Sequence, residues 1–135
     1  MDFGGMNYLA ILVAAVAAFA FGAVYYMALG KPWMKAARLK PEEMKMSPVP
    51  FITSFAAELI IAWVLAGVIG HLGTGQVTLW NGVISGAFIW LGFMATIIAV
   101  NHRYQGFGWD LTLIDAGHWL GVALLMGGII GWFGV

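Results

Sequence analysis

The sequence predicts an all-α fold, an integral membrane bundle of four transmembrane helices. Three observations predict it. Of the 135 residues, 62% are hydrophobic and only 9% are charged, about a third of the roughly 25% charged content of soluble domains. Four apolar stretches each approach the ~20 residues that a helix needs to cross ~30 Å of hydrocarbon. None of them shows the strict apolar–polar alternation of a barrel strand. The six acids and six bases cancel, so charge points to no nucleic-acid partner, and the lipid bilayer is the expected one. With Cys at zero, a disulfide framework, a thiolate metal site and a thiol nucleophile are all excluded.

The first span is expected at about 8–29 and the second at about 51–70. The third is expected at about 79–100 and the fourth at about 111–133. Together they make one domain, 1–135. The first span begins after Met1-Asp2-Phe3-Gly4, which carries no base, and its apolar stretch is longer than a signal peptide's. It therefore reads as a retained helix. Two polar loops are expected, at 30–50 and 101–110. In the first, Trp33, Met34 and Ala37 fit either a solvated connector with a tryptophan anchor, the favoured reading, or a short interfacial helix. Pro41 followed by Glu42 and Glu43 has the form of a helix start. Ser47-Pro48-Val49-Pro50 is expected to be extended, because proline disfavours helix at the residue before it.

All six bases fall in those two loops: Lys31, Lys35, Arg38, Lys40 and Lys45 in one, Arg103 in the other. An even number of spans puts both loops on one side. The positive-inside rule makes that side cytoplasmic, so the bundle is expected to be N-out and C-out. Aromatic residues gather near the span ends, as interfacial belts do, while Trp63, Trp90 and Trp119 lie deeper and are expected in packing.

Lipid is as apolar as leucine, so helices in a bilayer associate through close packing of small residues. Each span carries such a stripe: Ala14, Ala18 and Gly22; Ala62, Ala66 and Gly70; Gly82 and Gly86; Gly117 and Gly121, then Gly127 and Gly131. Four helices have limited room to bury every stripe. A homo-oligomer or a place in a larger membrane complex is the expectation that follows.

Ionisable side chains in hydrocarbon are costly, at roughly 2.5–3.5 kcal/mol for the charged form at a helix centre. Glu58 lies about 10 Å below the basic end of the second span, Asp115 about 6 Å and His118 about 10 Å into the fourth. Asp115 and His118, three apart, share a helix face. With Asn101 at the end of the third span, these residues form the candidate polar intramembrane site. Such a group can pass a proton, hold a cation or bind a polar ligand. The structural alternative is a hydrogen-bonded clamp in which Asp115 accepts from His118 or Asn101. Thr53, Ser54 and Thr96 add hydroxyls. Asp115-x-x-His118 is half of a carboxylate-bridged metal motif and lacks its second half, so no metal site and no cofactor is expected. No nucleophile elbow, phosphate loop or zinc-protease motif occurs, and the chain is not expected to be an enzyme.

Several strings resemble a known family. Asn7-Tyr8-Leu9-Ala10-Ile11-Leu12-Val13-Ala14-Ala15 opens the match, followed by Gly22-Ala23-Val24-Tyr25-Tyr26 and Gly30-Lys31-Pro32-Trp33-Met34. Trp90-Leu91-Gly92-Phe93, Leu113-Ile114-Asp115-Ala116-Gly117-His118-Trp119-Leu120 and Met126-Gly127-Gly128-Ile129-Ile130-Gly131 complete it. The chain resembles the small bacterial membrane proteins grouped as DUF1761, over almost its whole length. The resemblance implies the same four-span fold and a bacterial inner membrane, and it brings no activity. Asp115 and His118 stand where the family pattern often has Asn and Tyr, which pushes that pair toward a structural role.

Two functions are weighed ahead of any other. The leading expectation is a self-associating scaffold or accessory subunit of a membrane complex. The alternative is a small oligomeric proton- or cation-coupled transporter that uses Glu58. A metal- or pigment-dependent membrane protein ranks third, on the thin supply of ligands.

Overall fold

A computed structural model describes residues 5–134. Helices and turns make up these residues, without strands. Helix α1 spans Tyr8–Ala28, α2 Gly30–Ala36 and α3 Val49–Gly70. Helix α4 runs Leu79–Tyr104, with a π-helical stretch at Trp90–Ala95. Helix α5 spans Trp109–Phe133. Four of these, α1, α3, α4 and α5, are long and apolar enough to cross a membrane, and the chain has the architecture of a multi-pass membrane protein.

Local chemistry sets the helix ends. Asn7 caps α1, its side-chain oxygen accepting from the Ala10 N–H at 3.0 Å. Thr78 caps α4 in the same way through the Asn81 N–H, at 3.2 Å. The stretch expected to be extended before the second span is helical from Val49. Pro48 already has helical angles, φ −74° and ψ −16°, and Pro50 lies in the first turn. The first turn has no intrahelical partner for its N–H groups, so proline costs little there.

The segment 30–50 is more ordered than a solvated connector. Its first part is α2, and Pro41–Glu43 forms one 3-10 turn with the Glu43 side chain accepting from the Lys40 N–H. α2 ends at Arg38, a left-handed residue with φ +59°. The Arg38 N–H bonds Lys35 O and the Leu39 N–H bonds Met34 O, a closure usually built on glycine. Arg38 holds that conformation while donating to the Gly106 carbonyl at 2.8 Å. Gly106, φ +78°, ends α4 with the same pair of bonds. The two connections thus meet at the end of the bundle where all six bases lie.

α5 is the central helix, in contact with α1, α3 and α4. One core joins Ala14, Ala15 and Ala18 of α1 to Ala62, Leu65, Ala66 and Ile69 of α3 and to Val122, Met126 and Ile130 of α5. α4 supplies none of that cluster and packs on α5 through glycine. A Cβ at Gly82 would run into the Gly127 carbonyl, and one at Gly86 into the Ala123 carbonyl. From the other side, a Cβ at Gly127 meets the Gly82 carbonyl and one at Gly131 meets Thr78. The α1 face of α5 is cut away in the same manner: Gly117 lies beneath the Tyr25 hydroxyl and Gly121 beneath the Phe21 ring. The glycines of the expected stripes on α4 and α5 are therefore in use within one copy of the chain.

Backbone carbonyls cannot swing aside as side chains can. Gly86→Ala and Gly127→Ala are each expected to cost at least about 1–3 kcal/mol, the usual range for overpacking. Gly92, also on α4, has no atom within 4 Å of its would-be Cβ. Gly92→Ala is therefore expected to be neutral or slightly stabilising. Thermal melting of the three variants in one detergent checks this, and equal melting temperatures would contradict the backbone contact.

Candidate functional site

Two polar neighbourhoods lie toward the basic end of the bundle. The first is a cavity of about 410 Å³ between α1, α3 and α5. Its wall comprises Phe19, Gly22, Ala23, Tyr26 and Met27 of α1, Phe51, Ser54 and Glu58 of α3, and His118 and Trp119 of α5. Glu58 is 2% exposed and His118 6%. Glu58 Oε2 and His118 Nδ1 are buried and accept or donate no hydrogen bond among the described residues. An unmet buried polar atom costs about 1–3 kcal/mol, so two on one wall are an expense that local packing does not explain. His118 is held among rings. It stacks on Phe21 at 6.1 Å between centroids and 11° between planes, and meets Tyr26 at 4.9 Å and Trp119 at 4.8 Å. Gly22 makes room for it: a Cβ there would stand 2.8 Å from Nε2.

The second neighbourhood is a clamp centred on Asp115. Its Oδ1 accepts from the Tyr26 hydroxyl at 2.7 Å and from the Trp33 indole at 3.1 Å. Its Oδ2 lies 3.6 Å from His102 Nε2. His102 Nδ1 is 3.0 Å from the Thr112 hydroxyl, which also accepts from Arg103 at 2.7 Å. The Arg103 guanidinium sits 3.8 Å above the Trp109 ring and donates to the Gly108 carbonyl. One carboxylate thus ties α1, α2 and α4 to the start of α5. Tyr26 belongs to both neighbourhoods, with its ring on the cavity wall and its hydroxyl on the clamp.

The structure places Glu58 and His118 on one cavity wall and Asp115 in the neighbouring clamp. Asp115 does not accept from His118 or Asn101; Tyr26, Trp33 and His102 take those places. Asn101 is exposed and shares in neither neighbourhood. The reason lies in the π-helical stretch. At about 100° per residue, an unbroken α-helix would put Asn101, eleven residues after Trp90, back on the face of Trp90 to within ~20°. A π turn adds one residue to the turn, so that face passes to His102. Trp90 does point at α5, donating to the Ala116 carbonyl at 2.8 Å. Helix α4 also continues to Tyr104, so residues 101–104 are helical rather than loop. His102, Arg103, Tyr26 and Trp33 are partners that the sequence did not single out. The available signal was His102-Arg103 directly after an apolar span, beside aromatic pairs at the same end.

The family model described as Protein of unknown function (DUF1761) matches residues 9–131, nearly the whole chain. The chain belongs to this family. No curated protein and no solved structure matches it. Membership in DUF1761 agrees with the resemblance read from the sequence and assigns no activity, so function must be argued from the two neighbourhoods themselves.

In this DUF1761 member the clamp is expected to behave as structure. Asp115→Ala leaves the Tyr26 and Trp33 donors unmatched and should cost about 2–3 kcal/mol. Asp115→Asn keeps an accepting oxygen for both and should cost distinctly less. Denaturant unfolding followed by tryptophan fluorescence compares the two variants. Equal losses would mean that the charge, rather than the accepting oxygen, holds the clamp.

Proposed function

We propose that this protein is a small proton- or cation-coupled carrier of the bacterial inner membrane, in which Glu58 is the coupling group. The observation that carries the reading is Glu58 itself, 2% exposed, with Oε2 unmatched, on the wall of a cavity of about 410 Å³. Intramembrane carboxylates of this kind mark ion and substrate paths. The cavity falls within the ~300–1,000 Å³ of small-molecule sites. The concentration of bases at one end supports a cytoplasmic placement of that end, with both termini outside. The cavity then lies toward the cytoplasm. Tyr26 of α1 and His118 of α5 are the other titratable side chains on its wall.

A self-associating scaffold is the second reading. Its support has moved from the glycine stripes, which serve internal packing, to the outer face of α4. That face exposes Phe88, Leu91, Phe93, Ile97 and Val100. It also borders an apolar groove of about 210 Å³ lined by Ile61, Phe93, Met94, Ile97, Ile98 and Trp119. Self-association through this face is compatible with a carrier, since a second copy would lengthen the path that one bundle offers.

Proteoliposomes loaded with a pH-sensitive dye and given an inside-acid gradient test the carrier. Organic cations, organic anions, neutral amphiphiles and alkali-metal ions are added in turn. At least one class is expected to speed collapse of the gradient with the native protein and to have no effect with Glu58→Gln. A gradient unaffected by every class, or discharged equally by the variant, would contradict the role of Glu58.

A further inference from the structure

We propose that the cavity recognises a hydrophobic organic cation, a single positive charge carried on aromatic or branched apolar groups. The inference rests on the carrier reading and names its substrate class. The wall combines one carboxylate, Glu58, with the aromatic side chains Phe19, Tyr26, Phe51 and Trp119. Lysine and arginine are not among the lining residues. An anion would find no fixed positive charge there and would face Glu58. A small hydrated metal ion needs several oxygen ligands, and one carboxylate on a largely aromatic wall does not supply them. A hydrophobic cation satisfies both parts of the wall. Its charge faces Glu58, and its apolar groups lie against ring faces whose quadrupoles favour a cation.

Position supports the same occupant. Phe51 and Met27, at the end of the cavity that carries the basic connections, are exposed, while Glu58 and His118 are buried. A ligand entering by that end passes apolar and aromatic surface before it reaches the carboxylate. Entry in that order suits a molecule that sheds water readily from most of its surface. Glu58 Oε2 has no partner among the described residues, and a cation drawn against the Glu58 carboxylate supplies one. The ammonium headgroup of a membrane lipid shares this chemistry and is the other source of such a cation.

Calorimetric titration of the purified full chain tests the assignment. Tetraphenylphosphonium is the cationic probe, and triphenylphosphine oxide is a neutral probe of similar aromatic surface. The native protein is expected to bind the cation at least about tenfold more tightly than the neutral probe. Glu58→Gln is expected to erase that preference while leaving neutral binding unchanged. Phe51→Ala, at the exposed rim where folding is not at stake, is expected to weaken cation binding severalfold. Nanodiscs of phosphatidylethanolamine are compared with nanodiscs of a glucosyl diacylglycerol, which is uncharged and has no ammonium group. Weaker probe binding in the former assigns the cation site to the lipid ammonium, and equal binding assigns it to a soluble cation. Equal affinity for the cationic and neutral probes in the native protein would overturn the proposal. So would gradient discharge by organic anions or alkali-metal ions alone, a result that leaves Glu58 as coupling group and removes only the substrate class.

Discussion

Everything in this bundle depends on how closely α4 and α5 approach. In a bilayer the hydrophobic effect does not press helices together, so contact has to come from backbone surfaces that fit. Gly82 and Gly86 on one helix and Gly127 and Gly131 on the other leave no room for a methyl group between the two main chains. With α4 fixed against one side, α5 keeps its other side for α1 and α3. There Gly117 and Gly121 admit Tyr25 and Phe21. α5 is thus both the packing axis of the fold and the carrier of Asp115 and His118, so the glycine contacts set where both polar residues lie.

The two polar neighbourhoods differ in how far their carboxylates are matched. Asp115 accepts from Tyr26 and Trp33 and lies 3.6 Å from His102, and a carboxylate so partnered is suited to holding helices together. Glu58 and His118 are buried more deeply and each retains an atom with no partner among the described residues. A fold that supplies three neighbours to one carboxylate and leaves another short is not limited by a lack of donors. The difference follows position. Asp115 sits where the connections converge, and Glu58 sits on the wall of an open space.

Much of this was legible in the sequence. Four spans, their order and the gathering of bases at one end follow from hydropathy and counting, because the bilayer fixes helix length and leaves few alternatives. Glu58 and His118 stood out because ionisable groups are rare at that depth. The partners of Asp115 were not legible. They depend on helix rotation, which hydropathy does not set, and on one extra residue in the turn at Trp90–Ala95 that exchanges Asn101 for His102. The helix α2, whose Trp33 closes the clamp, was legible only as the second reading of its loop; its seven residues are too few to show a clear periodic signal. The glycine stripes were visible, but their use was not. Spacing shows a smooth face and does not say which helix lies against it.

A carboxylate at Glu58 is expected to set the electrostatic character of the cavity. The chain has no cysteine, so a single thiol can report on it directly. Ser54 lines the cavity, and Ser54→Cys places that thiol on the wall. The measurement is the rate of its modification by a cationic and by an anionic thiosulfonate reagent of similar size, with Glu58 present and in the Glu58→Gln background. Cationic modification is expected to be the faster with Glu58 present and to lose that preference without it. The same ratio of rates in both backgrounds would contradict it.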